Sequence, residues 1–180
     1  MARSPPYPDG MSGDPTSLCT RCGADHGELP FAYGSPAPAY WRPEFADDPG
    51  HVLGSEQCVI GGEHFFVRGR LVLPVTDADE DFEWGVWVSV SRASFDRMTT
   101  MWEDPARAEE PPSFGWLSTE LPLYEPATVN LKTRVHSRPV GIRPTVELEP
   151  TEHPLAVEQR TGITLARVRS IAEQLRHPGR

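Results

Sequence analysis

Residues 56–75, EQCVIGGEHFFVRGRLVLPV, followed by FEWGVWVSV at 82–90, decide the class of fold. The first stretch reads as a hairpin, with 56–60 and 64–75 as strands and Gly61-Gly62 as a two-residue turn. In the second, Trp84, Val86, Val88 and Val90 recur at every other position, the period of a strand with one buried face. Shorter strands are expected at 114–118, 128–136 and 145–149, with Val129, Leu131, Thr133 and Val135 facing a core. Trp84, Trp87 and Trp116 all read as core residues.

Between and after the strands the period becomes helical. Ser91 reads as the cap of a helix reaching about Trp102, whose stripe is Phe95, Met98 and Trp102. A short helix is expected over 152–160, with Pro154 in its first turn and Gly162 ending it. Thr164 then caps a final amphipathic helix with Leu165, Val168, Ile171, Ala172 and Leu175 on one side, leaving its arginines in solvent. Hairpins first and helices late predict an α+β fold: an antiparallel sheet covered by helices, preceded by an N-terminal zinc-knuckle segment. Residues 1–17, rich in Pro, Gly and Ser, read as a disordered extension, and 18–180 as a single domain. Tyr33, Tyr40, Trp41 and Phe45, in the Pro-rich stretch that follows the knuckle, read as an aromatic cover over the sheet.

The chemistry concentrates near the start. The chain has three cysteines, and Cys19, Cys22 and His26 fall within CTRCGADH, with Cys58 in the first hairpin. A C-x-x-C pair followed by Gly23 has the form of a knuckle, in which a tight turn aims two thiolates at one ion. A structural zinc needs four ligands, and Cys19, Cys22, His26 and Cys58 supply a complete set. His64 and His51 compete with His26 for the fourth place. A two-residue turn would set Cys58 opposite Phe65 and put His64 on the other face, which favours His26. The rival reading of C-x-x-C as a redox motif wants a preceding strand and a helix start, and neither pattern is present. Cys58 on its own also reads as a small buried hydrophobe.

Other residues offer weaker chemistry. If strands 128–136 and 145–149 are neighbours, Lys132 and His136 share a face with Glu147 and Glu149. That face is either an acid–base site or a set of cross-strand ion pairs in water. His153, among Glu149, Glu152 and Glu158, is a further acid–base candidate and equally the start of a helix. The hydrolase elbow G-x-S-x-G, the zincin H-E-x-x-H and the phosphate-cradling loop are missing from the sequence.

A net charge of −9 argues against a protein that works by neutralising phosphates, so no nucleic-acid partner is expected. No apolar run reaches the roughly 20 residues of a membrane span, and the first residues lack the apolar centre of a secretory signal. The protein is therefore expected in the cytoplasm, where thiols stay reduced and available to metal. These features suggest a binding or interaction module for a protein or small ligand, with zinc in a structural role. An enzyme, such as a hydrolase using Lys132, His136, Glu147 and His153, is the alternative. An immunity or antitoxin-type partner protein, suggested by acidic charge and small size, is the third.

The segments CTRCGADHGELP, EQCVIGGEHFFVRG, FEWGVWVSVS, FGWLSTELPLY, NLKTRVHSRPVGIRP and VELEPTEHPLAVEQRTGIT together resemble one bacterial family, domain of unknown function 2199. The resemblance runs from about Cys19 to His177. It implies one bacterial domain and brings no activity with it.

Overall fold

The computed structural model describes residues 19–178. The expected disordered extension at 1–17 lies outside the described residues. The strands are β1 (Ala32–Gly34), β2 (Val52–Leu53), β3 (Gln57–Ile60), β4 (His64–Leu73), β5 (Phe82–Val90), β6 (Ser113–Leu117), β7 (Lys132–His136) and β8 (Thr145–Leu148). The helices are α1 (Arg92–Thr100), α2 (Pro154–Thr161) and α3 (Leu165–Arg176), with 3-10 turns at Pro43–Asp47 and Pro105–Glu109. The class is mixed α and β, as the sequence patterns predict.

The sheet corrects one part of that expectation, because it is neither open nor purely antiparallel. β4 and β5 pair antiparallel along nearly their full lengths, from Phe65↔Val90 to Leu73↔Phe82. From β5 the antiparallel order continues through β6, β7 and β8, and β8 returns to β4 in parallel at Arg70↔Thr145. Five strands thus close into a barrel. β3 and β2 extend from the start of β4, and β1 adds to β5 in parallel at Ala32↔Glu83.

Closure depends on a position without a side chain. Gly69 alternates with Val67 and Leu71 and so faces the core. A Cβ built on it would lie 2.6 Å from Val146 Cγ2 and 3.1 Å from the Pro144 carbonyl oxygen. β8 can approach β4 only because that space is free.

Inside the barrel, alternate residues of the long strands supply Phe65, Val67, Leu71 and Leu73, then Phe82, Trp84, Val86, Val88 and Val90. Leu117, Val135, Val146 and Leu148 complete the wall, and Leu155 of α2 with Val168 and Ile171 of α3 pack against it. Ser91, Thr164 and Gly162 perform the capping roles read from sequence, since Ser91 accepts from Ser94 N–H and Thr164 from Arg167 N–H. Arg169 is exposed, but Arg167 is not simply solvated: its Nε donates to Glu158 Oε1 at 2.8 Å and its guanidinium covers Tyr124. Burial and the neighbouring Glu158 carboxylate, which accepts its hydroxyl at 2.6 Å, push the Tyr124 phenol above its ordinary range.

Three details differ from expectation, the first being that the strand expected over 128–136 begins at Lys132, after a turn in which Asn130 has φ 69°. The β3–β4 loop has three residues rather than two, so Cys58 lies opposite Phe66, not Phe65, and Ile60 opposite His64. That register puts His64 on the same face as Cys58, reversing the face argument made from a two-residue turn. Trp116 is 40% exposed, because β6 turns Gly115 and Leu117 inward and Phe114 and Trp116 outward. Gly69→Ala should cost about 1–3 kcal/mol, the usual penalty for overpacking, measured as a shift in the urea midpoint.

Candidate metal centre

The chain begins, among the described residues, with a closed turn. Gly23 N–H donates to the Cys19 carbonyl at 2.8 Å, and Cys19 N–H to the Ala24 carbonyl at 2.9 Å. Gly23 sits at φ 72°, a conformation that a residue with a Cβ adopts reluctantly. The turn brings Cys22 Sγ to 3.1 Å from His26 Nε2.

The fourth member comes from the far end of the chain. His177, just after α3, places Nε2 3.5 Å from Cys19 Sγ. Ligand atoms of Cys19, Cys22, His26 and His177 all lie within 4.8 Å of one another, a group able to hold a metal ion. The spacing fits such an ion: tetrahedral bonds of roughly 2.3 Å to sulfur and 2.0–2.1 Å to nitrogen set S and N about 3.6 Å apart.

Side chains around the group hold the first and last described segments together. Glu173, one turn before His177 on α3, accepts from Thr20 N–H at 2.8 Å and from the Thr20 hydroxyl at 2.6 Å. Those bonds hold the Glu173 carboxyl below its usual range. Arg21 Nη1 donates to the His177 carbonyl at 3.1 Å. Burial pushes the Cys19 thiol up, but the backbone N–H groups of Arg21 and Cys22, with the Cys22 side chain, outweigh it and leave the thiol lowered. A thiol with lowered pKa more readily supplies the thiolate that metals bind.

Cys58 is not part of this group, and the four-ligand set read from sequence needs that correction. Its side chain is fully buried with Ile60, Phe66 and Trp87, under Trp41 and Phe45. The aromatic stretch 40–45 therefore does cover the sheet, and what it covers includes the third cysteine. Apolar burial pushes the Cys58 thiol up to about 11. His51 stacks on Phe45 with ring centroids 4.1 Å apart, and His64 lines a separate surface cleft, so neither joins the group. His177 escaped the sequence reading because a histidine at a helix C-terminus already has an ordinary role, complementing the helix dipole.

The acid–base candidates are placed as follows. β7 and β8 are neighbours, and Arg134 stands opposite Glu147 and His136 opposite Thr145. On that exposed face His136 Nε2 lies 2.8 Å from Glu147 Oε2, and Lys132 Nζ 3.5 Å from Glu149 Oε2. These are cross-strand contacts on a solvent-facing surface, an ion pair for Lys132 and a hydrogen-bond-distance contact for His136, of small energetic weight. His153 is buried elsewhere: its Nδ1 accepts from Leu155 N–H as the N-cap of α2, and its Nε2 meets the Pro126 carbonyl at 2.9 Å. Lys132 lines a cleft of about 250 Å³, which His136, Glu147 and His153 do not share.

A closed barrel flanked by helices, with a Cys/His group formed between its first and last described segments, defines a mixed α and β protein. Residues 18–163 match the model of the family described as "Uncharacterized protein conserved in bacteria", domain of unknown function 2199, and the chain belongs to that family. The match contains Cys19, Cys22 and His26 and stops before His177. No curated protein and no solved structure matches the chain. No helix among the described residues is long and apolar enough to cross a membrane.

The two kinds of thiol should differ in reactivity. At pH 8, with metal chelated, an alkylating reagent should label Cys22 within minutes and leave Cys58 unmodified until the protein unfolds, as read by mass spectrometry. The linkage has a definite sign. Because the folded thiol of Cys58 lies above its unfolded value, it favours the native state below the ordinary thiol range. That contribution is lost as pH rises from there through about 11.

Proposed function

We propose that this protein is a small binding module whose fold is held by one structural zinc, ligated by Cys19, Cys22, His26 and His177. The observation that carries the reading is the mutual approach of those four ligand atoms to within 4.8 Å. Two thiolates and two imidazoles suit zinc, and four protein ligands leave no open position for a substrate. The ion would tie the knuckle to the end of α3, across a sequence separation of 158 residues between Cys19 and His177. Such a site requires reduced thiols, which fits a cytoplasmic protein.

Binding is favoured over turnover because Lys132, His136, Glu147 and His153 share none of the clefts described among the described residues. The outer wall instead offers apolar surface. A cleft of about 680 Å³ is lined by Tyr40, His64, Phe66 and Trp116, and Phe114 lies exposed beside Trp116. Exposed aromatic surface of this kind is common where proteins meet partners or ligands.

Purified without chelator, the protein should carry one zinc per chain by elemental analysis. Cys19→Ser and His177→Ala should each lose or strongly weaken it, and Cys58→Ala should retain it. Chelation should lower Tm by about 10 °C or more, since metal affinity adds directly to folding free energy. A protein that is folded and metal-free as isolated, with a Tm indifferent to added zinc, would show that the four residues meet without a metal.

A further inference from the structure

A second cleft, of about 560 Å³, opens between the end of α1, the turn Pro105–Glu109 and the β7–β8 loop. It shares no residue with the Cys/His group. Arg107 lines it and is only 5% exposed, the one arginine or lysine buried to this degree among the described residues. Trp102 holds it in place: the guanidinium lies 4.8 Å from the indole centroid, and Nη1 donates to the Trp102 carbonyl at 2.7 Å.

A guanidinium carries five donors, and that carbonyl takes one. No carboxylate among the described residues forms an ion pair with Arg107. Its other nitrogens are not among the buried polar atoms that lack a partner, so they reach the solvent of the cleft, where an anion can meet them. The neighbouring arginines are supplied differently. Arg143 is bidentate to Glu56 at 2.6 and 2.7 Å, and Arg70 Nη2 meets Glu83 at 2.9 Å while its Nε is buried without an acceptor. Among the described residues that line the cleft, Arg107 is therefore the arginine without an ion pair, and Glu103 the carboxylate without one.

We propose that this cleft binds a small organic acid, a single carboxylate carried on an apolar body, with Arg107 as the anchor. The planar fork of a guanidinium matches the two oxygens of a carboxylate. One unmatched cation suits one negative charge, and exposed Glu103, which also lines the cleft, would repel a second. The apolar body has its own contacts, because Trp102, Val140 and Ile142 line the same space, the last two 40% and 44% exposed. The inference supplies a ligand class beyond the zinc reading and rests on separate residues.

The test uses the full chain and 3-phenylpropionate, titrated by calorimetry beside 3-phenylpropanamide and phenyl phosphate, with zinc content measured on the same samples. The acid should bind saturably, about tenfold or more tighter than the amide, since the amide forgoes the charge-assisted bonds. Arg107→Gln should weaken it by about tenfold or more, and rescue by Arg107→Lys should be partial because lysine lacks the fork. Ile142→Asp, at an exposed position, should leave Tm and zinc content unchanged and weaken the acid similarly. If Arg107→Gln does not fold, Ile142→Asp decides alone. No saturable binding at millimolar acid, equal binding of acid and amide, or wild-type affinity in Ile142→Asp would overturn the proposal. Tighter binding of phenyl phosphate would overturn the carboxylate class. Loss of zinc with binding intact would count against the metal reading only.

Discussion

A strand of ten residues whose neighbours are mostly shorter must find more than one partner along the same edge. β4 is such a strand, and β5, at nine residues, is another. β4 gives its first half to β3 and its later part to β8. β5 gives its first part to β1 and its last to β6. Backbone groups left without partners inside a fold cost free energy, so the second partner is a requirement rather than an ornament. Meeting it at both edges brings β8 round to β4, and the sheet becomes a closed barrel. Gly69 makes that meeting sterically possible.

Closure gives the barrel wall two faces with different chemistry. The inner face holds the main aliphatic and aromatic core. Part of the outer face is also dry, because the 40–45 segment lies over it and buries Cys58 with Phe66 and Trp87. The rest is wet, and there β7 and β8 set Lys132, Arg134 and His136 beside Glu147 and Glu149. Two residue types that suggest chemistry in a sequence, a cysteine and a histidine–carboxylate pair, are thereby assigned to packing and to solvent. Burial among Ile60, Phe66 and Trp87 raises the Cys58 thiol and sets it apart from the Cys/His group, while charged pairs on an open face have little energetic weight.

The Cys/His group depends on where α3 ends. Its buried stripe of Val168, Ile171 and Ala172 fixes the helix against the barrel, and the helix length then determines where His177 emerges. Glu173 secures the same helix to Thr20 of the knuckle. The geometry of the Cys/His group is in this sense a consequence of helix docking, which brings the last described segment to the first.

Much of this was legible in the chain alone. Periods of two and 3.6 residues marked β5, most of the strand expected over 128–136 and the stripe of α3, because burial on one face imposes those periods on any amphipathic element. Ser91, Thr164 and Gly162 declared helix ends through their own local hydrogen bonds and backbone angles. The gathering of Cys19, Cys22 and His26 was legible because they lie within eight residues of chain, where spacing is close to geometry. What tertiary structure alone decided were relations between distant segments. The β3–β4 register turned on one loop residue, since a shift of one reverses every face. Trp116 faces outward because β6 pairs with β5 and β7 in a particular register, and the barrel closed through a single parallel contact at Arg70↔Thr145. Cys58, expected among the ligands, is buried, and His177, given no role in the sequence reading, is brought to the thiols, because no local pattern records which remote surfaces will pack together.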